Sequence, residues 1–172
     1  MAVGLQFLLL LCIVVAAQFQ IGVLGEVSQN MEDALAASNL ASAVIDIEEY
    51  GISHKMIIRD FDQAYAVYCE ALKGNLGLNE MWERESPLMS AGKVRVECYI
   101  LFNVYDNLVH VRGLDENGNR YEYTGDVGRV TAPNGAVIEQ TAIYSEISFP
   151  VRGLGGMEQM AHKGKLVDLC EN

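Results

Sequence analysis

Apolar and polar positions are arranged in three different ways along this chain, and each arrangement predicts a different kind of element. From Val3 to Gly25 the sequence reads VGLQFLLLLCIVVAAQFQIGVLG, with no charged residue before Glu26. A run of that length is what an α-helix needs to cross the roughly 30 Å hydrocarbon core of a bilayer. The run passes without proline into EVSQNMEDALAASNLASAVIDIEEYG, which reads as an amphipathic continuation of the same helix to a C-terminal stop at Gly51. Small residues recur four apart at Ala34, Ser38 and Ser42 and at Ala37 and Ala41, with Leu35, Leu40, Val44, Ile45 and Ile47 on neighbouring faces. Apolar groups around more than one face predict burial on two sides, against the protein's own domain and against a neighbouring subunit. Gly22 and Gly25 mark the expected bend, since glycine is a poor helix former.

A second helix is predicted from a cap at Asp60 or Asp62 through Phe61, Ala64, Tyr65, Tyr68 and Leu72, stopping near Lys73 and Gly74. Asn75 to Gly92, which holds Pro87 and Trp82, reads as a loop with a short turn around residues 79–84. From Lys93 the period becomes two, with Val94, Val96, Cys98, Ile100, Phe102 and Val104 alternating with their neighbours in a long half-buried strand. Further strands are predicted over Leu108–Arg112, Arg120–Thr124, Gly128–Thr131, Val137–Phe149 and Lys165–Cys170, with Pro133-Asn134-Gly135 as a hairpin turn and Pro150 as a stop. Gly153 to Gly156 reads as a loose loop. Helices first and tightly connected strands afterwards predict an α+β fold: a long N-terminal helix, a second short helix and an antiparallel β-meander. The corresponding segments are 1–25, the transmembrane half of the helix; 26–51, its amphipathic continuation; 52–92, the second helix and loop; and 93–172, the sheet domain.

Charge gives this picture a direction. The chain carries 12 Lys and Arg against 23 Asp and Glu, a net charge of −11, and without a basic cluster it is a poor nucleic-acid ligand. The first cationic side chain is Lys55, so the flank following the span is free of the basic residues that hold a segment in the cytoplasm. The expected topology is single-pass, with the N-terminus cytoplasmic and the domain extracellular. Val15-Ala16-Ala17 has the small residues of a signal-peptide cleavage site, but the basic n-region is missing and the apolar run continues past it. Leu11 before Cys12 argues against a lipid anchor there. A retained helix is the expectation.

The chain offers little chemistry. His54, His110 and His162 have no local partners at ligand or triad spacing, and no phosphate-binding, nucleophile-elbow, zinc or dinucleotide motif occurs. Asp115, Asn117, Asn119 and Glu122 place oxygens loosely as in a calcium loop, but Gly118 and the closing acid are misplaced, and a solvated hairpin explains them. Cys12 reads as a small apolar residue of the span; Cys69, Cys98 and Cys170 leave at most one internal disulfide, of undetermined pairing. No enzyme, cofactor or metal is expected.

LQFLLLLCIVVAAQFQ, the alanine-rich MEDALAASNLASAVIDIEEYG and the late strand TAIYSEISFPV resemble the type IV pilin superfamily, and in particular the pseudopilins, or pilin-like minor subunits, of Tad (tight-adherence) pili. The resemblance implies a non-enzymatic, membrane-inserted structural subunit of a pilus or related secretion apparatus. It would assemble with sibling pilin-like subunits through its N-terminal helix. The residues it places on the assembly helix are Leu5, Gln6, Leu9, Val15, Gly22, Gly25, Ala34 and Ser38, with Gln6 where the family has a glutamate. Partners on this reading are the lipid bilayer and sibling subunits. The alternatives are a monomeric signal-anchored domain that binds an extracellular ligand and a secreted protein with a cleaved signal peptide.

Overall fold

The computed structural model describes residues 2–83, 92–152 and 158–169. Its helices are α1 (Ala2–Ala41), α2 (Ile47–Ser53) and α3 (Phe61–Leu76), followed by β1 (Arg95–Tyr105), β2 (Leu108–Leu114), β3 (Arg120–Asp126), β4 (Ala142–Arg152) and β5 (Glu158–Asp168). The strands form one antiparallel sheet in the order β3-β2-β1-β4-β5. Asp106 and Asn107, both with positive φ, form the two-residue turn that brings β2 back along β1. The connection 127–141 then carries the chain from the β3 edge across the sheet to the far side of β1.

Both faces of the sheet are buried, which is why β1 shows buried positions in succession rather than strict alternation. On one face Tyr99, Leu101, Ile143 and Ile147 pack against Met31 and Leu35 of α1 and Tyr68 and Leu72 of α3. On the other, Ile100, Phe102, Val109 and Val111 are covered by Val130, Ala132 and Ile138 from the long connection. Tyr68, Tyr99 and Phe61 form an aromatic cluster between α3 and β1, with ring centroids 4.9 Å (Tyr68–Tyr99) and 5.6 Å (Phe61–Tyr99) apart.

Polar side chains fasten the layers. The Asn39 amide, buried in α1, donates to the Lys165 carbonyl (2.9 Å) and accepts from the Ser145 hydroxyl (2.7 Å). Tyr99 donates to the Ser42 hydroxyl (2.9 Å). Asn103 on β1 accepts from the Ile58 N–H (2.9 Å) and donates to the Ile58 carbonyl (2.8 Å). One side chain thereby does for residues 54–60 what a ladder rung does for a strand.

Several expectations are corrected here. The first helix does not run to Gly51: it ends at Ala41, and Asp46 starts α2 by accepting from the Glu49 N–H (3.0 Å). Ser42 ends α1, with its hydroxyl bonded to the Asn39 carbonyl (2.8 Å) and its Cβ-branched successors Val44 and Ile45 outside helical structure. Gly51 lies inside α2, and His54 in the left-handed region closes it. Among the described residues no helix is long and apolar enough to cross a membrane. That overturns the single-pass membrane topology, with its cytoplasmic N-terminus and extracellular domain, and the transmembrane half of the helix.

The sheet is not a meander either. β1 lies at its centre between β2 and β4, so the chain leaves one edge and re-enters on the other side, and the pilin-like architecture expected from the resemblance does not hold. The predicted strand at Gly128–Thr131 is irregular apart from a single bridge, Thr131 to Val137, around the Pro133-Asn134-Gly135 turn. β4 continues through Pro150, which pairs with Met160, and β5 begins at Glu158. α3 passes Gly74 and is capped by Gly77 at φ 62°. The Gly153–Gly156 loop and part of the Asn75–Gly92 loop lie outside the described residues.

Candidate assembly interface

α1 has two halves with opposite surroundings. In the second half, Met31, Ala34, Leu35, Ser38 and Asn39 are buried against the sheet and α3. In the first half the described apolar side chains have no cover from the body: Phe7 is 73% exposed, Leu10 65%, Ile13 60%, Val15 59% and Ile21 65%. Leu10 to Val15 are exposed without interruption, which takes in every side of the helix. A helix apolar all round is stable in water only when other apolar surface covers it.

The residues assigned to assembly divide between these halves. Gln6, Val15, Gly22 and Gly25 lie in the exposed half, and added Cβ atoms at either glycine would meet open space. The helix continues unbroken through both glycines. Ala34 and Ser38 belong to the protein's own core: Ala34 is 6% exposed, and the fully buried Ser38 hydroxyl donates to the Ala34 carbonyl (2.6 Å) and accepts from the Asn75 amide (3.1 Å). They are unavailable to a neighbour. The side chains of Leu5 and Leu9 lie outside the described residues.

What fixes α1 to the body was not anticipated from the sequence. Glu32 receives Lys165 Nζ at 2.7 Å and Lys163 Nζ at 2.9 Å, both from β5, and Lys163 also donates to Ser28 (3.3 Å). The hydrogen bonds from Lys165 and Lys163, reinforced by their charges, hold the Glu32 carboxyl at about 2, well below its ordinary value. The available signal was modest: lysines at alternate positions of a strand facing an acidic helix.

A second feature is a cleft of about 590 Å³ between the start of α3 and strands β2 and β3, lined by Arg59, Asp62, Arg112, Arg120 and Glu122. Its guanidinium groups are each answered from within the chain. Arg120 pairs with Asp62, Arg112 Nε with Glu122 (3.2 Å), and Arg59 Nε with Asp46 (3.0 Å). Arg112 also donates to the Arg59 carbonyl (3.1 Å). The cleft therefore presents a neutralised surface to a ligand.

The other chemical candidates are absorbed by structure. Asp115 caps its own turn, accepting from the N–H groups of Asn117 (2.9 Å) and Asn119 (2.8 Å), while Glu122 points to Arg112. Cys69 and Cys98 are free thiols; burial raises both, Cys98 to about 12, so neither supplies a thiolate near neutrality. His54 caps α2, His110 contacts Thr124 (3.2 Å), and His162 lies 3.6 Å from Glu146. Compared with protein-family models, curated proteins and solved structures, the chain matches none of them.

Proposed function

We propose that this chain is a non-enzymatic structural subunit that assembles with sibling copies through the first half of α1. One observation carries the reading: exposed apolar side chains on every side of that half, on a helix whose other half is anchored to the body by Asn39 and Glu32. A rigid, anchored projection with apolar surface all round suits packing among several like helices better than binding one ligand in a groove. The setting implied by the resemblance is a pilus or secretion apparatus of the tight-adherence kind, and it rests on the sequence stretches Leu5–Gln20, Met31–Gly51 and Thr141–Val151 alone.

Cys12, exposed in the middle of the apolar half, is a built-in reporter. Mild oxidation of the full chain should yield copies joined through Cys12. Val14→Glu should lower that yield by about tenfold or more, because a buried unpaired carboxylate is costly. A chain that stays monomeric and unlinked at Cys12 across a concentration series would refute assembly through α1.

A further inference from the structure

The sheet has two open edges, and they are built differently. β5 carries Lys163 and Lys165 and is engaged by α1 through Glu32 and Ser28. β3, reading Arg-Tyr-Glu-Tyr-Thr-Gly-Asp, has no lysine or proline and pairs with β2 without a bulge from Arg120 to Asp126. It thus lacks several devices by which natural edge strands avoid adding another strand.

The ladder fixes which backbone groups are free. Asp115 N–H donates to the Asn119 carbonyl and Val127 N–H to the Asn107 carbonyl, each at 3.0 Å. The hydrogen-bonded pairs of this hairpin are therefore the odd-numbered residues of β3. Glu122 and Thr124, with Arg120 beside them, aim their N–H and C=O groups away from β2. Their side chains share the helix-covered face of the sheet with Arg112 and Asn103, while Tyr121 and Tyr123 stack on the opposite face with centroids 6.3 Å apart.

We propose that β3 pairs antiparallel with the β3 of a second copy about a two-fold axis at Tyr123, making one sheet continuous through both copies. This register centres the backbone pairing on Glu122 and Thr124, since the Asp126 carbonyl already accepts from the Arg129 N–H (3.1 Å) and the Val130 N–H (3.3 Å), and it is chosen by the strand's charges. It sets Arg120 opposite Asp126 of the other copy, twice by symmetry, and Glu122 opposite Thr124, whose outward backbone groups exchange the hydrogen bonds. Tyr123 meets its own symmetry mate. Shifting the axis to Glu122 puts two glutamates face to face, and shifting it to Thr124 puts Glu122 against Asp126; like charges directly opposite are destabilising. The self-complementary pattern is what an isologous contact requires. Arg120 and Asp126 are 64% and 61% exposed in their side chains, and their present partners, Asp62 and Arg129, lie at the surface beside them.

The test is a cross-link at the axis. In this register residue 123 faces itself in a non-hydrogen-bonded pair, with Cα atoms about 4.5 Å apart, within disulfide reach. Tyr123→Cys in the full chain should give a 123–123 linked peptide on mild oxidation, identified by mass spectrometry, whereas Glu122→Cys should not link to itself. Arg120→Asp should reduce the yield at 123 by about tenfold, Asp126→Arg likewise, and the charge-swapped R120D/D126R chain should restore it. Self-linkage of residue 122, no linkage at 123, or a yield indifferent to these charges would overturn the pairing. The readout is the peptide at 123, so it succeeds or fails independently of linkage at Cys12.

Discussion

Asn103 shows how much one side chain holds. It is nearly buried, and both ends of its amide are spent on Ile58, whose own side chain is in the core. Asn103→Ala should cost about 1–3 kcal/mol, because it orphans a buried N–H and a buried carbonyl at once. Urea unfolding would measure it, and a loss confined to a few tenths of a kcal/mol would show that residues 54–60 are held by other means. Tyr68 behaves in the opposite way. Its hydroxyl is buried without a hydrogen-bond partner, and the nearby Ser145 hydroxyl donates instead to Asn39. Tyr68→Phe removes an unsatisfied polar atom and keeps the ring on Tyr99, so stability should be unchanged or rise. A clear drop in the urea midpoint would mean that the hydroxyl is answered.

Among elements, α3 was the most legible, since its cap, its apolar spacing and its packing all agree: Asp60 accepts from the Gln63 N–H (2.9 Å), and Phe61, Ala64, Tyr68 and Leu72 face the sheet. The end of α1 was hidden because Ser42 is held by Tyr99, a partner far along the chain that no local pattern reveals. The turn at Pro133-Asn134-Gly135 was readable, but its flanks meet in a single bridge and lie across the face of the sheet, where Val130, Ala132 and Ile138 cover the core, rather than within the sheet. Pro150 misled for a related reason: β1 pairs with β4 no further than Ser148, so one flank of β4 has no strand neighbour there and proline is tolerated.

The seating of α1 on β5 should depend on pH. Glu32 has its folded value depressed, so its contribution is fully present above the ordinary value of 4.5 and is lost as pH falls towards about 2. Glu32→Gln should remove that part of the acid sensitivity. Comparing thermal unfolding of the two proteins between these limits checks it; parallel curves would show that the lysine contacts contribute nothing.

Across the whole molecule, the exposed apolar surface on which the proposed assembly rests was only partly readable. An uncharged apolar stretch advertises itself in any sequence, and its described side chains are indeed uncovered. Which small residues of α1 remain available was not readable, because Ala34 and Ser38 look like Gly22 and Gly25 until the sheet is placed against them. The two proposed self-contacts lie on separate elements and share no residue, so their perturbations should be independent. Val14→Glu should lower linkage at Cys12 by about tenfold and leave the 123–123 peptide, while Arg120→Asp should do the reverse. Joint loss of both links in either variant would show that the surfaces act as one.

The fastening of α1 also has a consequence for how the chain is made. Asn39 and Glu32 find their partners on β5, which is synthesised after every other element described here. The helix that precedes the other described elements is therefore fully fastened only when the last of them has been made, after α3, β1 and β4 have already supplied its apolar cover.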